Sequence, residues 1–83
     1  MTSTAPNMTA LVELLAKALV EKPDEVEVEA FEEDGQTVLE LVVAESDLGK
    51  VIGRQGRTAR SLRNIVHAAG LRTRKRYQLE IVE

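Results

Sequence analysis

The sequence predicts a single α+β domain with the element order helix, strand, strand, helix, helix, strand. At 83 residues the chain has room for only one core. Apolar residues recur with the helical period in some segments and alternate with polar residues in others. Hydrophobic residues make up 43% and charged residues 30%, a composition typical of a folded, soluble domain. We place the domain at residues 8–83 and a flexible polar leader at residues 1–7.

The first predicted element is an amphipathic helix. Asn7 or Thr9 is expected to cap its start, and Pro23 is expected to stop it near Glu21. Its predicted apolar stripe follows the spacing i, i+3, i+4, i+7 and i+8 and consists of Leu11, Leu14, Leu15, Ala18 and Leu19.

Two predicted strands follow. Residues 25–29 alternate glutamate with valine, which indicates a half-buried strand with an acidic outer face. The polar residues 32–35 end in Asp-Gly and predict a turn, and residues 37–43 form a second β-rich run. One face of that run carries Leu39, Leu41 and Val43. Two such strands joined by a short turn predict an antiparallel hairpin.

Two helices and a closing strand complete the pattern. Ser46 is expected to cap a short helix that runs through Ile52, and Gly70 is expected to stop the longer helix that follows. The apolar face of the longer helix holds Ala59, Leu62, Ile65, Val66 and Ala69. Its basic face holds Arg57, Arg60, Arg63, Asn64 and His67. In the closing strand, Tyr77, Leu79 and Ile81 alternate with Gln78 and Glu80.

Charge is segregated along the chain. The net charge is −3, but residues 1–47 hold two basic and twelve acidic residues, a net of −10, whereas residues 48–83 hold nine basic and two acidic residues, a net of +7. An approaching anion responds to the local field over about 8 Å at physiological salt. The second half can therefore bind a polyanion that the first half repels.

Several classes of function are not expected. The chain has no cysteine and one histidine, so it lacks thiolate metal sites, thiol nucleophiles and any Ser-His-Asp set that spacing could support. We expect no enzymatic activity, no cofactor and no metal. The N-terminal residues lack the pattern of a signal peptide, and no apolar run reaches about 18 residues. We therefore expect a cytoplasmic protein with no membrane partner.

The most specific segment runs from Gly49 to Arg60 and contains Gly53-Arg54-Gln55-Gly56 between two predicted helices. Two glycines three residues apart allow a tight turn and bring backbone amides close to a polyanion. They also open a helix N-terminus, where the amides and the dipole favour phosphate. The spacing fits neither a Walker loop nor a dinucleotide fingerprint. Taken alone, the glycine pair is better explained as a plain turn between helices with an exposed arginine, and only its context favours the phosphate-binding interpretation.

The string Leu-Gly-Lys-Val-Ile-Gly-Arg-Gln-Gly at residues 48–56 resembles the K-homology (KH) RNA-binding domain. The element order resembles the type II, prokaryotic form of that family. From about Met8 onward, with Lys-Pro-Asp-Glu-Val after the first helix, the chain is similar to small single-domain bacterial members. The resemblance implies a type II KH fold, a three-stranded sheet with three helices packed on one face.

The resemblance also implies a site. The GxxG loop of this family clamps the backbone of about four single-stranded nucleotides against a groove between two helices and the adjacent strand. By position, the RNA-binding residues are Lys50, Val51, Ile52, Gly53, Arg54, Gln55, Gly56, Arg57 and Arg60. In that set Lys50 and Arg57 flank the clamp, while Val51 and Ile52 form its apolar floor. Leu41 and Val43 are weaker candidates from the strand side.

Partners are implied as well. Small members of the family are expected to be RNA chaperones or post-transcriptional regulators that act with a second KH protein in cell-envelope growth and division. We expect a homodimer, or a heterodimer with such a partner, because a chain of this size without disulfides has a thin core. Two alternatives stay open: a KH-shaped dimerisation subunit with incidental RNA contact, and a ribosome-associated factor.

The remaining charged residues carry weaker signals. Residues 72–76 hold four basic side chains, which form either a solvated edge or an extension of the RNA path. Asp47 is expected to help Ser46 cap the short helix, and His67 is expected to be exposed and structural. The glutamates of the first strand are expected to form a solvated face, with a protein partner as the alternative.

Overall fold

The computed structural model describes residues 7–83, so most of the predicted leader lies outside the described residues. The predicted α+β order is confirmed. The helices and strands are α1 (Met8–Leu19), β1 (Glu27–Glu33), β2 (Gln36–Val42), α2 (Leu48–Ile52), α3 (Arg57–Arg72) and β3 (Tyr77–Ile81). Single 3₁₀ turns lie at Pro23–Glu25, Glu45–Asp47 and Arg54–Gly56.

The three strands form one mixed sheet in the order β1-β2-β3. β1 and β2 pair antiparallel through a two-residue turn at Asp34 and Gly35, which confirms the predicted hairpin. β1 begins two residues later than predicted, because Pro23–Glu25 forms a 3₁₀ turn. β3 pairs parallel to β2, so β2 is the central strand and β3 is an edge.

The core lies between the helices and one face of the sheet, which we call the inner face. Leu39 and Leu41 at the centre of β2 have no exposed surface, and Val12, Val66 and Leu79 are almost as deeply buried. Each strand therefore presents one set of alternate residues to the helices, as the period of two predicts.

Helix α1 buries a stripe that overlaps the predicted one in part, because Leu11 and Leu15 of the predicted stripe are partly buried against the core. Asn7 caps it, its side chain accepting a hydrogen bond from the Ala10 amide at 3.0 Å. Met8, Val12 and Ala16 are buried, whereas Leu14 of the predicted stripe is 67% exposed. Apolar residues surround most of this helix, so periodicity fits more than one face, and packing on the sheet selects the row at i, i+4 and i+8. In the described part of the chain, no helix has the length and apolar character needed to span a bilayer.

Helix α3 continues past its predicted end. Gly70 is not a stop signal, because it lies inside the helix, which runs to Arg72. A Cβ at Gly70 would stand 2.6 Å from the Lys75 carbonyl oxygen and 2.8 Å from the Tyr77 ring. Gly70 thus allows the chain that follows α3 to fold back tightly and enter β3. Of the predicted apolar face, Ala59, Leu62 and Val66 are buried and Ile65 is 43% exposed.

Candidate nucleic-acid interface

The loop between α2 and α3 has an unusual backbone path. Gly53 ends α2 at φ 78° and ψ 171°, a region that is essentially restricted to glycine. A Cβ at Gly53 would lie 2.9 Å from the Thr58 backbone nitrogen and still closer to the Thr58 side chain. Gln55 and Gly56 adopt left-handed conformations, at φ 57° and 72°, and a Cβ added at Gly56 would meet nothing within 4 Å. The two glycines therefore serve different purposes, close packing at Gly53 and backbone direction at Gly56.

The loop is closed by its own hydrogen bonds. The Gly53 amide donates to the Gly49 carbonyl at 2.8 Å, and the Gly56 amide donates to the Gly53 carbonyl at 3.1 Å. No side chain of the described residues caps the start of α3. The Arg57 amide donates to the Arg54 carbonyl, so the 3₁₀ turn leads directly into α3 and places the positive end of its helix dipole at the loop, where it favours an anion.

Four cationic side chains surround this point. Lys50, Arg54, Arg57 and Arg60 are all exposed. Lys50 lies 3.7 Å from the Asp47 carboxylate, and the ion pairs of the described chain include none of the three arginines. Unpaired guanidinium groups beside the N-terminal end of a helix favour a ligand with several negative charges, such as a phosphodiester backbone.

The predicted apolar floor divides into one surface residue and one core residue. Ile52 is half-buried beside the loop, whereas Val51 has no exposed surface and packs in the core. Val51 thus holds α2 against the sheet, and in this structure only Ile52 can touch a ligand from the floor.

The strand side of the groove differs from the prediction. Leu41 is fully buried on the central strand and Val43 is 9% exposed, so the expectation that they flank the groove is wrong. The strand next to α3 is β3, and a groove of about 550 Å³ lies along the surface where the two meet. It is lined by Gln36, Arg63, Asn64, His67, Tyr77, Gln78, Leu79 and Glu80.

The groove contains free backbone groups. Arg76 and Val82 of the third-strand segment bond to β2, so in a parallel ladder Gln78 and Glu80 also face β2. The amides and carbonyls of Tyr77, Leu79 and Ile81 then face the free edge. Arg63 confirms this direction, since its Nε donates to the Leu79 carbonyl at 3.3 Å. A base in the groove can be held by this edge without an aromatic platform.

The basic run after α3 lies at the far end of the same groove. The Lys75 amide folds back to the Gly70 carbonyl at 2.9 Å, and Arg74 has φ 57°. Arg74, Lys75 and Arg76 line a cleft of about 360 Å³ against the tip of the β1-β2 hairpin. A further cavity of about 450 Å³ shares Tyr77 with the main groove and Lys75 and Arg76 with this cleft. The three spaces therefore adjoin one another, from the groove beside β3 to the hairpin tip.

Asp47 has a role that the sequence did not reveal. It is 1% exposed and does not cap α2 through its side chain, so the expected local capping with Ser46 is wrong. Its carboxylate accepts hydrogen bonds from the Glu21 amide at 3.1 Å and the Lys22 amide at 3.0 Å. Burial opposes ionisation, but these amides and the charges of Lys50 and Lys22 outweigh it and lower the pKa of Asp47. The ionised side chain fastens the segment after α1 to the start of α2 and so fixes the position of Lys50.

Comparison with known proteins gives consistent matches. The family model described as KhpA/KhpB, KH domain, matches residues 9–81. The RNA-binding protein KhpA of Borreliella burgdorferi is 46% identical over 77 residues, which cover 93% of this chain and 94% of that protein. The protein of the same name from Aquifex aeolicus is 51% identical over 73 residues, covering 88% and 92% of the two chains. The one from Bacillus subtilis is 41% identical over 80 residues, covering 96% and 99%.

Among solved structures, the fold is similar to part of Era. A crystal structure of an Aquifex aeolicus Era variant bound to GDP and aluminium fluoride gives a TM-score of 0.60 at 19% identity, covering 98% of this chain and 31% of Era. A structure of Era with MgGDPNP and nucleotides 1506–1542 of 16S ribosomal RNA gives a TM-score of 0.59 at 21% identity, covering 89% of this chain and 28% of Era. At these identities the similarity concerns the fold alone.

Proposed function

Because this chain belongs to the KhpA/KhpB KH-domain family, we propose that it binds single-stranded RNA at the α2-α3 loop and along the groove beside β3. The observation that carries the proposal is the junction of α2 and α3. There, the positive-φ residues Gly53 and Gly56 lead into the start of α3, which no side chain caps, amid the exposed Lys50, Arg54, Arg57 and Arg60. The relatives are named as RNA-binding proteins, which supports a binding protein rather than an enzyme.

The chemistry of the site supports backbone recognition. Phe31 and Tyr77 are the only aromatic residues, so the stacking of successive bases contributes little. Phosphate contacts at the loop fix the strand, and the β3 edge offers amides and carbonyls to base edges. We therefore propose that base preference is weak and that affinity depends mainly on charge.

A salt titration measures this dependence directly. If the four cations contact about three or four phosphates, the single-strand slope of roughly −0.7 per contact gives a log-log slope near −2 to −3. Affinity for a short single-stranded RNA should then fall roughly 20- to 60-fold between about 50 and 200 mM salt. A slope steeper than about −4 would mean that the run at residues 72–76, or a second subunit, also contacts RNA. A slope near zero would contradict the phosphate clamp.

We further propose a cytoplasmic RNA chaperone or post-transcriptional regulator that acts with a KhpB-like KH protein in cell-envelope homeostasis, cell shape, cell-wall biogenesis and cell division. The family membership supports this assignment, because the family model covers both KhpA and KhpB. Crosslinking the protein in cells and sequencing the attached RNA tests it. Recovery of no RNA above background would favour the alternatives, a KH-shaped dimerisation subunit or a ribosome-associated factor with incidental RNA contact.

Assembly is the second part of the proposal. The helical layer leaves large apolar side chains in solvent, with Leu14 at 67%, Ile65 at 43% and Leu71 at 64% exposure. Covering such residues in a dimer would stabilise a small domain with a thin core. Two loops bound to one RNA would also raise the avidity. We expect light scattering at micromolar concentration to give the mass of a homodimer. Only the mass of the 9.2 kDa monomer over that range would contradict it.

A further inference from the structure

On the sheet face turned away from the helices, which we call the outer face, most side chains of the described structure are exposed. The strand register arranges its side chains in rows that cross the sheet. One row consists of Glu29, Glu40 and Glu80, directly paired across the strands. The row on one side consists of Phe31, Val38 and Gln78, of which Val38 is only 1% exposed, and the row on the other side begins with Glu27 and Val42. An acidic row thus lies between two rows that carry apolar side chains.

The acidic row is unfavourable in the isolated domain. Directly opposed residues on one sheet face have Cβ atoms about 4.5 to 5.5 Å apart, and like charges at that spacing repel. None of the three strands contains a lysine or arginine. Within the described residues, the side-chain hydrogen bond of the row is the one that Gln78 Nε2 donates to Glu80 Oε2 at 3.3 Å, and Gln78 is neutral. The repulsion among the three carboxylates is therefore not compensated within the domain.

The flanking rows add apolar surface to this charge. Phe31 is 41% exposed and Val42 is 39% exposed, and Val82, which follows β3, is 45% exposed. Exposed apolar side chains therefore lie on both sides of a row of carboxylates. A ligand that is itself amphipathic could contact both kinds of side chain at once. The pattern also restricts the ligand's charge, because RNA and anionic lipid would meet three adjacent carboxylates.

We propose that the outer face binds a cationic amphipathic segment of a protein partner. Arginine or lysine side chains of that segment pair with Glu29, Glu40 and Glu80, and its apolar side chains cover Phe31 and Val42. The site lies on the side of the sheet opposite the helices and the α2-α3 loop, and it meets the groove beside β3 only at Gln78 and Glu80, which also line that groove. The proposal therefore does not depend on RNA binding, and it gives the domain a second, oppositely charged surface for a different class of partner.

The test uses a labelled synthetic helical peptide of leucine, alanine, arginine and lysine with its cations on one face. Fluorescence anisotropy compares the native chain with the triple variant Glu29→Gln, Glu40→Gln, Glu80→Gln. The matched control is Glu13→Gln, Glu21→Gln, Asp24→Asn, which changes the net charge equally away from the sheet. Since exposed charge pairs are each worth a modest free energy, we expect the outer-face variant to bind about fivefold or more weakly, and the control less than about twofold.

Further measurements separate the alternatives. The outer-face variant should melt at a higher temperature than the native chain in low salt, because the mutual repulsion is gone, so weaker binding could not result from unfolding. The variant Arg54→Asp, Gln55→Asp should still bind the peptide. Equal weakening in both triple variants would overturn the proposal, since only net charge would matter. The native chain could instead self-associate, and the outer-face variant could abolish that self-association. This result would show that the face binds a second copy of the chain, and it would overturn the proposal of a different protein partner.

Discussion

The double substitution Arg54→Asp, Gln55→Asp is expected to abolish RNA binding while leaving the fold intact. The charge at the loop tip changes by three units, from one cation to two anions, directly beside the proposed phosphate path. Three unit charges at about 1 kcal/mol each, the value for contact distance in water, correspond to a loss of affinity of about 100-fold or more. A gel shift with single-stranded RNA measures the loss.

The structure explains why this variant should fold. Both side chains are exposed, and Gln55 is in the left-handed region, where aspartate is found more often than most residues. Circular dichroism and the urea midpoint should therefore match those of the native chain. The control Lys17→Glu, Ala18→Glu makes the same change in net charge on the exposed side of α1 and should lower affinity only slightly. Retained affinity in the loop variant would place the RNA site elsewhere.

Local sequence signals were sufficient to predict the hairpin and the loop. Asp34-Gly35 between two alternating runs specifies a two-residue turn, and that turn sets the register of β1 and β2. Gly53 and Gly56, three apart between helical patterns, specify the α2-α3 junction. In both cases residues that tolerate positive φ determine the structure, and their effect does not depend on distant packing.

The incorrect predictions have a different cause. They concern features that depend on contacts between elements distant in the sequence. The buried side of α1 depends on the sheet it meets, because that helix is apolar on most sides. Asp47 resembles a local helix cap, yet its partners are the amides of Glu21 and Lys22, more than twenty residues earlier. Hydrogen bonds between segments so far apart in the chain leave no periodic pattern in the sequence that could predict them.

The groove was predicted on the wrong strand for a topological reason. The segment from β2 through two helices to β3 returns the chain parallel to β2, so β3 becomes the edge beside α3 and Leu41 remains central. The general preference for short crossover connections to a neighbouring parallel strand could have indicated this arrangement. Alternation alone does not give the order of strands in a sheet. Arg63, His67 and the β3 edge were therefore not assigned to the groove from the sequence.

The two glycines of the loop are expected to respond differently to the same substitution. Gly56→Ala places a Cβ in open space on a left-handed residue, which costs about 1 to 2 kcal/mol of unfolding free energy. Gly53→Ala forces alanine into a backbone region that is essentially restricted to glycine and drives the Cβ into Thr58. We expect Gly53→Ala to cost about 3 kcal/mol or more, a large part of the roughly 5 to 15 kcal/mol that stabilises a typical domain.

Urea unfolding of the two alanine variants measures this difference, and RNA affinity gives a second readout. Gly53→Ala should lose RNA binding even where the domain remains folded, because the added Cβ can avoid Thr58 only if the loop turns and moves Arg54 away from the start of α3. Gly56→Asp is a useful control, since aspartate tolerates the left-handed region but adds negative charge. It should unfold close to Gly56→Ala and bind RNA more weakly. Equal stability of Gly53→Ala and Gly56→Ala would contradict the packing of Gly53 against Thr58 as the feature that fixes the loop.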